Sequence, residues 1–351
     1  MNKYKLNDIC INITDGTHST VIDDETGSSY LLSCKNVKEG KIIINKTDRI
    51  INNETLLQLR KRTKMDKGDV VLTTVGTIGE SSYIKDNSPN FEFQRSVAIL
   101  KPNSDLVLSQ YLHYFLISKD GQAKILSRIK GAAQPCLFLN DLKSVEILLP
   151  SINTQQHIVN TIGTIDDLIE KYQSILKKLN DIIHLMFLNL TPSDLTLSDI
   201  ADIKYGRSLE ASKLTQDKKY PVYGSNGIIG TLDSYDFKDS KIAISCRGAS
   251  SGNVFLTKPL STISSNSLFL NLKNINETLP IYSYINRIGL SSFATGSAQP
   301  QITIENLQHL KVPNLKNHLR ENSQLIDLLF MIQSKIDSAS KIKAFLLDKY
   351  F

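Results

Sequence analysis

Two segments of the sequence carry apolar residues at alternating spacings of four and three. The first seam is Ile158, Ile162, Ile165, Ile169, Tyr172, Leu176, Leu179, Ile183, Met186 and Leu190. The second is Leu325, Leu329, Ile332, Ile336, Ala339, Lys343, Leu346 and Tyr350. A seven-residue repeat of this kind is typical of a helix that packs lengthwise against another helix. It predicts two long helices, over 151–190 and 314–351, each on the order of 50 Å long.

Each of these helices needs a partner for its seam, and the nearest one is the other helix. Only Lys343 interrupts the second seam, and we expect its neighbour Ile342 to replace it in part. Pro192 ends the first helix because proline cannot continue one, and a short linker, 191–196, follows. The two seams therefore predict an antiparallel coiled coil within one chain.

The sequence that precedes each helix is duplicated. GAAQPCLFLNDL (131–142) returns as GSAQPQITIENL (296–307), LNDICINITDG (6–16) as LSDIADIKYG (197–206), and VLTTVGTIGES (71–81) as ISCRGASSGNV (244–254). Short β-branched and apolar runs predict strands in both copies, and LVLSQYLHYFLIS and LPIYSYINRI each predict a helix. We therefore predict an α+β fold in which two similar domains, 1–150 and 197–313, alternate with the two helices about a pseudo-two-fold axis.

Composition narrows the class of protein. The formal net charge is +6, and two mildly basic domains flank an acidic first helix, which suits a polyanionic partner. The chain has no apolar run of the roughly 20 residues that a membrane span needs. Its first residues, MNKYKLNDIC, lack an apolar signal core, so we expect a cytoplasmic protein without a membrane partner. The cysteines are scattered without zinc spacing, and we expect them to be reduced and mostly buried.

An antiparallel helix pair gives the two domains equivalent orientations. Duplex DNA has a two-fold symmetry of its own, so such a chain can present one domain to each of two half-sites. The helices would then set the distance between the half-sites. Because the two copies differ in sequence, we expect the half-sites to differ as well.

The chain resembles the DNA specificity subunits of type I restriction–modification enzymes over essentially its full length. The resemblance rests on Asp15-Gly16-Thr17-His18, VLTTVGTIG, GAAQP and GSAQP, LLPSINTQQ before the first helix, YPVYGSNGIIG, and both heptad helices. It implies two target-recognition domains that read an interrupted asymmetric sequence, and no catalysis by this chain. It also implies two DNA methyltransferase subunits and restriction subunits as partners. S-adenosylmethionine, ATP and magnesium would bind to those partners, and no cofactor or metal is expected in this chain.

We expect DNA contacts from the glycine-rich loops, from the turns beside apolar strands and from the Gln-Pro phrases. The candidate residues are Thr73, Thr74, Thr77, Gln94, Arg95, Lys130, Gln134, Ser225, Asn226, Arg247, Ser250, Ser251, Asn266 and Gln299. The loops Gly76–Gly79 and Gly248–Gly252 recur in both copies, yet glycine turns between strands would give the same pattern.

The arginine, asparagine, glutamine and lysine side chains among these candidates can contact bases or phosphates. Arg95 suits guanine, and Asn266, in the counterpart region, suits adenine; the alternative is a strand-edge residue bonded to its own backbone. Gln134 and Gln299 precede prolines, which favours an extended backbone. Each glutamine therefore either projects towards a groove, with Lys130 placed for a phosphate, or locks its loop.

Several rival interpretations remain open. Glu39-Gly40-Lys41 has the spacing of some metal-dependent nucleases, although a hairpin turn between two strands is the stronger explanation. Asp15 and His18 could exchange protons, although Asp-Gly followed by a polar residue is usually a turn. The heptads could serve only as an oligomerisation scaffold. A related type IIB-like or methylation-only system would need the same recognition subunit. No dinucleotide or P-loop motif is present.

Overall fold

The structure is a computed structural model that describes residues 2–131, 133–296, 300–315 and 323–351. The chain forms two compact units. Unit 1 comprises residues 1–169 and 338–351, and unit 2 comprises residues 170–337. Both unit boundaries fall inside long helices, and the domain limits inferred from the sequence stay predictions.

Unit 1 mixes short helices with several small sheets. Its elements are β1 (Asn2–Lys5), α1 (Leu6–Ile9), β2 (Cys10–Asp15), β3 (Ser29–Leu32), β4 (Val37–Lys38), β5 (Lys41–Ile42), β6 (Arg49–Ile51), α2 (Asn53–Thr63), β7 (Val70–Thr73), β8 (Ser81–Tyr83), β9 (Phe91–Phe93), β10 (Val97–Pro102), α3 (Ser109–Ile117), α4 (Lys119–Leu126), α5 (Leu139–Lys143), β11 (Glu146–Leu149) and α6 (Ile152–Met186). The last of these helices continues into unit 2.

Four sheets organise unit 1. The largest has the strand order β2-β10-β7-β8 and is antiparallel throughout. A second sheet, β6-β3-β9, pairs β3 with β9 in parallel. The strands β1 and β11 pair near the start of α6, and β4 pairs with β5. Strand β7 is buried at every position, which is why its first three residues, VVL, are all apolar rather than alternating with polar residues.

Unit 2 repeats this architecture with fewer additions. Its elements are α7 (Leu197–Ile200), β12 (Ala201–Tyr205), β13 (Tyr220–Gly224), β14 (Gly227–Leu232), β15 (Ile242–Ser245), β16 (Val254–Leu256), β17 (Thr262–Ile263), β18 (Ser267–Leu272), α8 (Thr278–Ile288), α9 (Ile304–Gln308) and α10 (Ser323–Tyr350). The sheet β12-β18-β15-β16 matches β2-β10-β7-β8, and β14-β13-β17 matches β6-β3-β9. The parallel pairing of β13 with β17 also recurs.

Unit 1 is the longer copy because of elements that unit 2 does not repeat within its described residues. They include helix α2, the β4–β5 hairpin and helix α4. Helix α2 begins after Asn52, whose side chain accepts a hydrogen bond from the Thr55 amide at 2.8 Å. This is a standard N-cap, since the free amides of the first turn need an acceptor. This helix has no apolar periodicity by which it could be predicted, because Leu56 is its only buried apolar residue.

The main core of unit 1 joins its largest sheet to both long helices. It includes Leu72, Leu100 and Phe115 together with Ile158 and Ile162 of α6. Leu347 of α10 belongs to the same cluster. Burial of these side chains stabilises the fold by about 25 cal/mol for each Å² of apolar surface that is removed from water. The first turns of α6 and the last turns of α10 are therefore part of the core of unit 1.

The predicted seams follow the burial pattern of both helices. The members Ile158, Ile162, Leu179, Ile183, Ile332 and Ile336 are buried, and Ile165, Ile169, Tyr172, Leu176, Leu325, Leu329 and Leu346 are half-buried. Two details differ from the prediction. Met186 is exposed while Phe187 is buried, because regular α-helix ends at Met186. Ile342 is 49% exposed and does not replace Lys343; Lys343 itself is half-buried and pairs with Asp166.

Candidate nucleic-acid interface

A backbone bridge follows β2 in unit 1 and holds the turn between β9 and β10. The Gly16 amide donates to the Val97 carbonyl at 3.0 Å, and the Arg95 amide donates to the Thr17 carbonyl at 3.0 Å. The Val97 amide closes the turn onto the Gln94 carbonyl at 3.1 Å. This bridge places Arg95 at the tip of the turn, where its side chain is exposed.

The same bridge exists in unit 2 with different side chains. The Gly206 amide donates to the Ser267 carbonyl, the Ser265 amide to the Arg207 carbonyl, and the Ser267 amide to the Ser264 carbonyl, each at 3.0 Å. Arg207 therefore occupies the position of Thr17, and Ser265 that of Arg95. The sequence comparison set Asn266 opposite Arg95. In the structure the residue that matches Asn266 is Ser96, because the Cys246 amide bonds the Asn266 carbonyl as the Thr74 amide bonds the Ser96 carbonyl.

The two bridge glycines explain why the turns lie so close to the neighbouring strands. A Cβ on Gly16 would lie 2.0 Å from the Phe93 carbonyl oxygen. A Cβ on Gly206 would lie 2.3 Å from the Ile263 and Ser264 carbonyl oxygens. Only glycine permits this approach, so each glycine is needed for the geometry of its bridge.

The glycine-rich loops also correspond between the units. The Thr73 amide donates to the Glu80 carbonyl at 2.8 Å, and the Ser245 amide donates to the Asn253 carbonyl at 2.9 Å. In each unit, the residue just before the glycine-rich loop forms a β-bridge with the residue just after the Gln-Pro phrase. Val75 pairs in this way with Cys136, and Arg247 pairs with Gln301. In each unit, the loop, the turn and the return segment of the Gln-Pro phrase therefore meet at one edge of the large sheet.

A cavity of about 510 Å³ opens at this edge of unit 1. It is lined by Asp15, His18, Thr74, Val75, Arg95, Ser96, Gln134, Cys136, Leu137, Phe138, Leu139 and Asn140. Three predicted contact residues, Thr74, Arg95 and Gln134, thus share one concave surface. Within the described ranges, the Arg95 guanidinium makes no hydrogen bond or ion pair, so its donors are available to a ligand.

The acidic side of the cavity is internally paired. His18 Nε2 lies 2.7 Å from Asp15 Oδ2. The guanidinium of Arg62, on α2, lies 3.3 Å from Asp15 Oδ1 and also donates to the carbonyls of Asp15 and Gly16. Asp15 is thus neutralised by neighbours and fixes the end of β2, as expected of a structural turn residue.

Other candidates from unit 1 occupy different environments. Thr73 is fully buried, and its hydroxyl donates to the Thr77 carbonyl and accepts from the Glu80 amide at 3.0 Å. We therefore leave Thr73 out of the interface, since it holds the loop. Thr77 is exposed and Gln94 is half-buried. Lys130 Nζ lies 2.8 Å from Asp141 Oδ1 and its side chain is 61% exposed, so its contact with a phosphate stays a prediction.

The candidates of unit 2 lie on the corresponding loops. Ser225 and the exposed Asn226 form the two-residue turn between β13 and β14, and the Ser225 carbonyl accepts the Ser245 hydroxyl. Arg247 and Asn266 are exposed, and Ser250 is half-buried. Ser251 Oγ is buried without a hydrogen-bond partner in the described part of the chain. Gln299 lies outside the described residues.

The cysteines near this edge are free thiols. All four cysteines are unpaired with one another, as expected, but only Cys246 is buried; Cys10, Cys34 and Cys136 are half-buried. Burial raises the pKa of the Cys246 thiol above its usual 9.0, even though Arg247 acts in the opposite direction. Cys246 is therefore protonated at neutral pH and contacts the Ser265 carbonyl at 3.8 Å.

Sequence reasoning missed Arg207, whose Nη1 lies 3.1 Å from Asp236 Oδ1. The repeated phrases ending in Asp15-Gly16 and Tyr205-Gly206 already contained the signal. Extending the comparison by one residue pairs Thr17 with Arg207, and a change from threonine to arginine at one bridge position is a marked difference between the copies.

The alternative site at Glu39 is a hairpin turn. Glu39 and Gly40 have φ values of +52° and +77° and connect β4 to β5, a conformation typical of two-residue hairpins. The Glu39 side chain is 77% exposed. Across the described ranges, no group of three or more His, Cys, Asp or Glu residues is arranged to hold a metal ion.

None of the helices in the described ranges is both long enough and apolar enough to span a bilayer. The sequence matches the profile of the type I restriction modification DNA specificity domain over residues 2–181 and 193–343. It is similar to the specificity subunit of the type I restriction enzyme EcoBI from Escherichia coli, with 31% identity over 159 residues. That match covers 45% of this chain and 32% of the relative, so it spans about a third of the relative's length.

Two further similarities cover more of the chain. A Mycoplasma genitalium protein with the provisional name of a type I specificity subunit is 23% identical over 305 residues, covering 79% of each chain. The crystal structure of the S subunit of a type I restriction–modification system from M. genitalium superimposes with a TM-score of 0.64 at 19% identity. The superposition covers 100% of this chain and 96% of that chain, which supports a common fold.

Proposed function

Because the chain belongs to the type I restriction modification DNA specificity domain family, we propose that it reads an interrupted, asymmetric DNA sequence, with one unit for each half-site. The observation that carries this proposal is the duplicated bridge. Both units build the same edge from Gly16 or Gly206, a tight turn, a glycine-rich loop and a returning strand. The same scaffold carries different side chains in the two copies, and so it suits two different half-sites.

The charge at these edges supports contact with DNA. Arg95 and Arg247 are exposed, and their guanidinium groups are free of ion pairs among the described residues. Free arginines at these edges can bond phosphates or guanine, whereas the neighbouring threonine, serine and glutamine side chains can donate to phosphates or to base edges. In this proposal Thr74, Thr77, Gln94, Arg95 and Gln134 serve the first half-site. Ser225, Asn226, Arg247, Ser250, Ser251 and Asn266 serve the second, and Gln299 is a further candidate.

The long helices would set the spacing of the half-sites. The half-buried and buried seam residues of α6 and α10 favour an antiparallel coiled coil about a pseudo-two-fold axis, as the spacing of four and three predicts. Half-site spacing in symmetric DNA readers follows from the distance between their recognition elements. We propose that this helix pair also recruits two methyltransferase subunits and, through the assembled complex, restriction subunits.

The proposed subunit itself catalyses no reaction. Its partners would bind S-adenosylmethionine, ATP and magnesium, and this chain would select the DNA sequence that is modified. A methylation-only or type IIB-like complex would use the same recognition surfaces, so the proposal concerns recognition rather than cleavage.

The proposal is tested by co-expressing the chain with a methyltransferase subunit from its own source genome. We expect the two proteins to co-purify and the complex to bind duplex DNA. Because phosphate contacts release counterions, affinity must fall steeply with salt, by roughly 10³-fold or more between 50 and 200 mM for six or more contacts. An assembled complex with no DNA affinity at 50 mM salt would refute the proposal. DNA cleavage by the purified chain with Mg²⁺ alone would favour the nuclease alternative.

A further inference from the structure

The two units carry their bridge arginine on opposite sides of the same backbone bridge. In unit 1 the arginine is Arg95, on the turn, and the facing residue is Thr17. In unit 2 the arginine is Arg207, two residues after the end of β12, and the facing residue is Ser265. The bridge arginine thus lies on the turn in unit 1 and on the segment after β12 in unit 2.

Arg207 is held in a defined position. Its Nη1 lies 3.1 Å from Asp236 Oδ1, and its side chain is 45% exposed. Asp236 is itself anchored, because its amide donates to the Ser261 carbonyl at 3.1 Å. By contrast, the exposed Arg247 guanidinium makes no hydrogen bond or ion pair within the described part of unit 2.

This pairing changes what Arg207 can recognise. An arginine beside a carboxylate contributes little net charge, so it attracts a phosphate less than an unpaired arginine does. Apart from Asp236, the Arg207 guanidinium has no hydrogen-bond or ion-pair partner among the described residues, so N–H donors of the rigid, planar fork remain for a ligand. That fork matches the O6 and N7 acceptors of guanine, which are uncharged. A neutralised and oriented arginine is thus better suited to a base edge, and the free Arg247 to a phosphate.

We propose that Arg207 reads a guanine in the second half-site and that Asp236 is its positioning residue. This inference rests on the proposed function. It identifies Arg207 as a specificity-determining residue and guanine as the base that it recognises. It also assigns base recognition to Arg207 and phosphate contact to Arg247. It also accounts for half-site asymmetry, because the arginine lies on the turn of the bridge in unit 1 and on the facing segment in unit 2.

The test uses the full chain in complex with its methyltransferase subunits. The wild-type recognition sequence is first determined from methylated genomic DNA. Binding is then measured on duplexes that carry every single-base change in both half-sites, for the wild type and for Arg207→Ala, Arg207→Lys, Asp236→Asn and Arg247→Ala. Thermal melting and co-purification report whether each variant folds and assembles.

We expect Arg207→Ala to reduce discrimination for guanine roughly 5- to 150-fold at one position of the second half-site, with the first half-site unchanged. Arg207→Lys keeps the charge but loses the two-pronged contact, so it relaxes the same position even if the alanine variant fails to assemble. Asp236→Asn relaxes that position less and strengthens the salt dependence, because the arginine regains its net charge. Arg247→Ala weakens binding to all duplexes alike and lowers the salt slope by about one.

Three results would overturn the inference. The first is a second half-site without a guanine. The second is that the Arg207 variants keep full discrimination at every position, and the third is that they lose affinity equally for all duplexes. Failure of the proposed function looks different: an assembled wild-type complex would then yield no interrupted recognition sequence at all.

Discussion

Lys343 Nζ of α10 lies 2.6 Å from Asp166 Oδ1 of α6, so a charge pair occupies a position where the heptad pattern calls for an apolar residue. Asp166 Oδ2 also accepts the Tyr114 hydroxyl at 2.8 Å, and Lys343 Nζ lies 5.8 Å from the centre of the Tyr114 ring. Both side chains of the ion pair are largely shielded from water. This group of three residues ties α3, α6 and α10 together inside unit 1.

Removing the carboxylate should destabilise unit 1. We expect Asp166→Ala to lower the free energy of unfolding by about 2 kcal/mol, because it deletes the hydrogen bond from Tyr114 and the ion pair with Lys343. Thermal melting of the single variant, of Lys343→Met and of the double variant would give the coupling energy. The matched control is Asp167→Ala at an exposed position, with a change within about 0.5 kcal/mol. Equal effects of the two aspartate variants would contradict this role of Asp166.

His113 should make the fold sensitive to acid. Burial, with the nearby charges of Lys343 and Lys85, lowers the pKa of His113 from 6.5 to about 3, and its Nδ1 lies 3.2 Å from Ser81 Oγ. Between these two values the unfolded chain binds a proton that the folded chain does not. Stability is therefore fully present above pH 6.5 and falls as the pH drops towards 3, by up to about 1.4 kcal/mol per pH unit.

Urea unfolding between pH 4 and 8 measures this dependence. We expect His113→Phe to flatten the slope below pH 6.5, because the group that titrates is gone. The control is His157→Phe, since His157 is exposed on α6 and its removal should leave the slope as in the wild type. An unchanged slope in His113→Phe would show that other groups cause the acid sensitivity.

Gly206 should be needed for the second half-site only. The added methyl of Gly206→Ala would lie 2.3 Å from two carbonyl oxygens, so the bridge must open, at about 2 kcal/mol or more. Duplex binding should lose discrimination in the second half-site and retain it in the first. Gly163→Ala is the matched control: its methyl meets no atom closer than the Tyr114 hydroxyl at 3.8 Å, and it should stabilise α6 by about 0.5–1 kcal/mol. Loss of both half-sites in Gly206→Ala would contradict the assignment.

Leu179 should contribute both to the stability of the fold and to the distance between the two DNA half-sites. It is 7% exposed on the seam of α6, and Leu179→Ala should lower the free energy of unfolding by about 2–5 kcal/mol through loss of packing. We expect less methyltransferase to co-purify with this variant. We also expect methylated sequences with more than one spacing between the half-sites. The exposed neighbour Lys178 provides the control variant Lys178→Ala, which should behave as the wild type. A Leu179→Ala protein with wild-type stability would contradict the seam.

The heptad helices and the duplicated sheets could be predicted from sequence because their signals are periodic. Spacings of four and three marked Ile162 and Leu179 on α6 without any knowledge of their partners. Strands such as β7 and β15 were evident from continuous β-branched and apolar residues. The pairing of Lys343 with Asp166 could not be predicted, since it depends on which helix faces Lys343.

The details of the interface were less predictable because they depend on register. A shift of one residue decides that Arg95 corresponds to Ser265 and not to Asn266, and only the backbone hydrogen bonds of the bridge reveal this. Thr73 follows an apolar run in the sequence, and nothing there indicates that its hydroxyl is used within the loop. The pairing of Lys130 with Asp141 likewise requires the loop to fold back onto α5.

The central claim is that one chain directs modification to two different half-sites. Its most direct test is a genome-wide map of methylated adenines in cells that express the methyltransferase subunit of the same system with this chain, without it, or with its Gly206→Ala variant. We predict an interrupted, asymmetric motif that appears only with the chain, and a motif relaxed in the second half-site alone with Gly206→Ala. Identical methylation with and without the chain, in cells where the two proteins co-purify, would contradict the account.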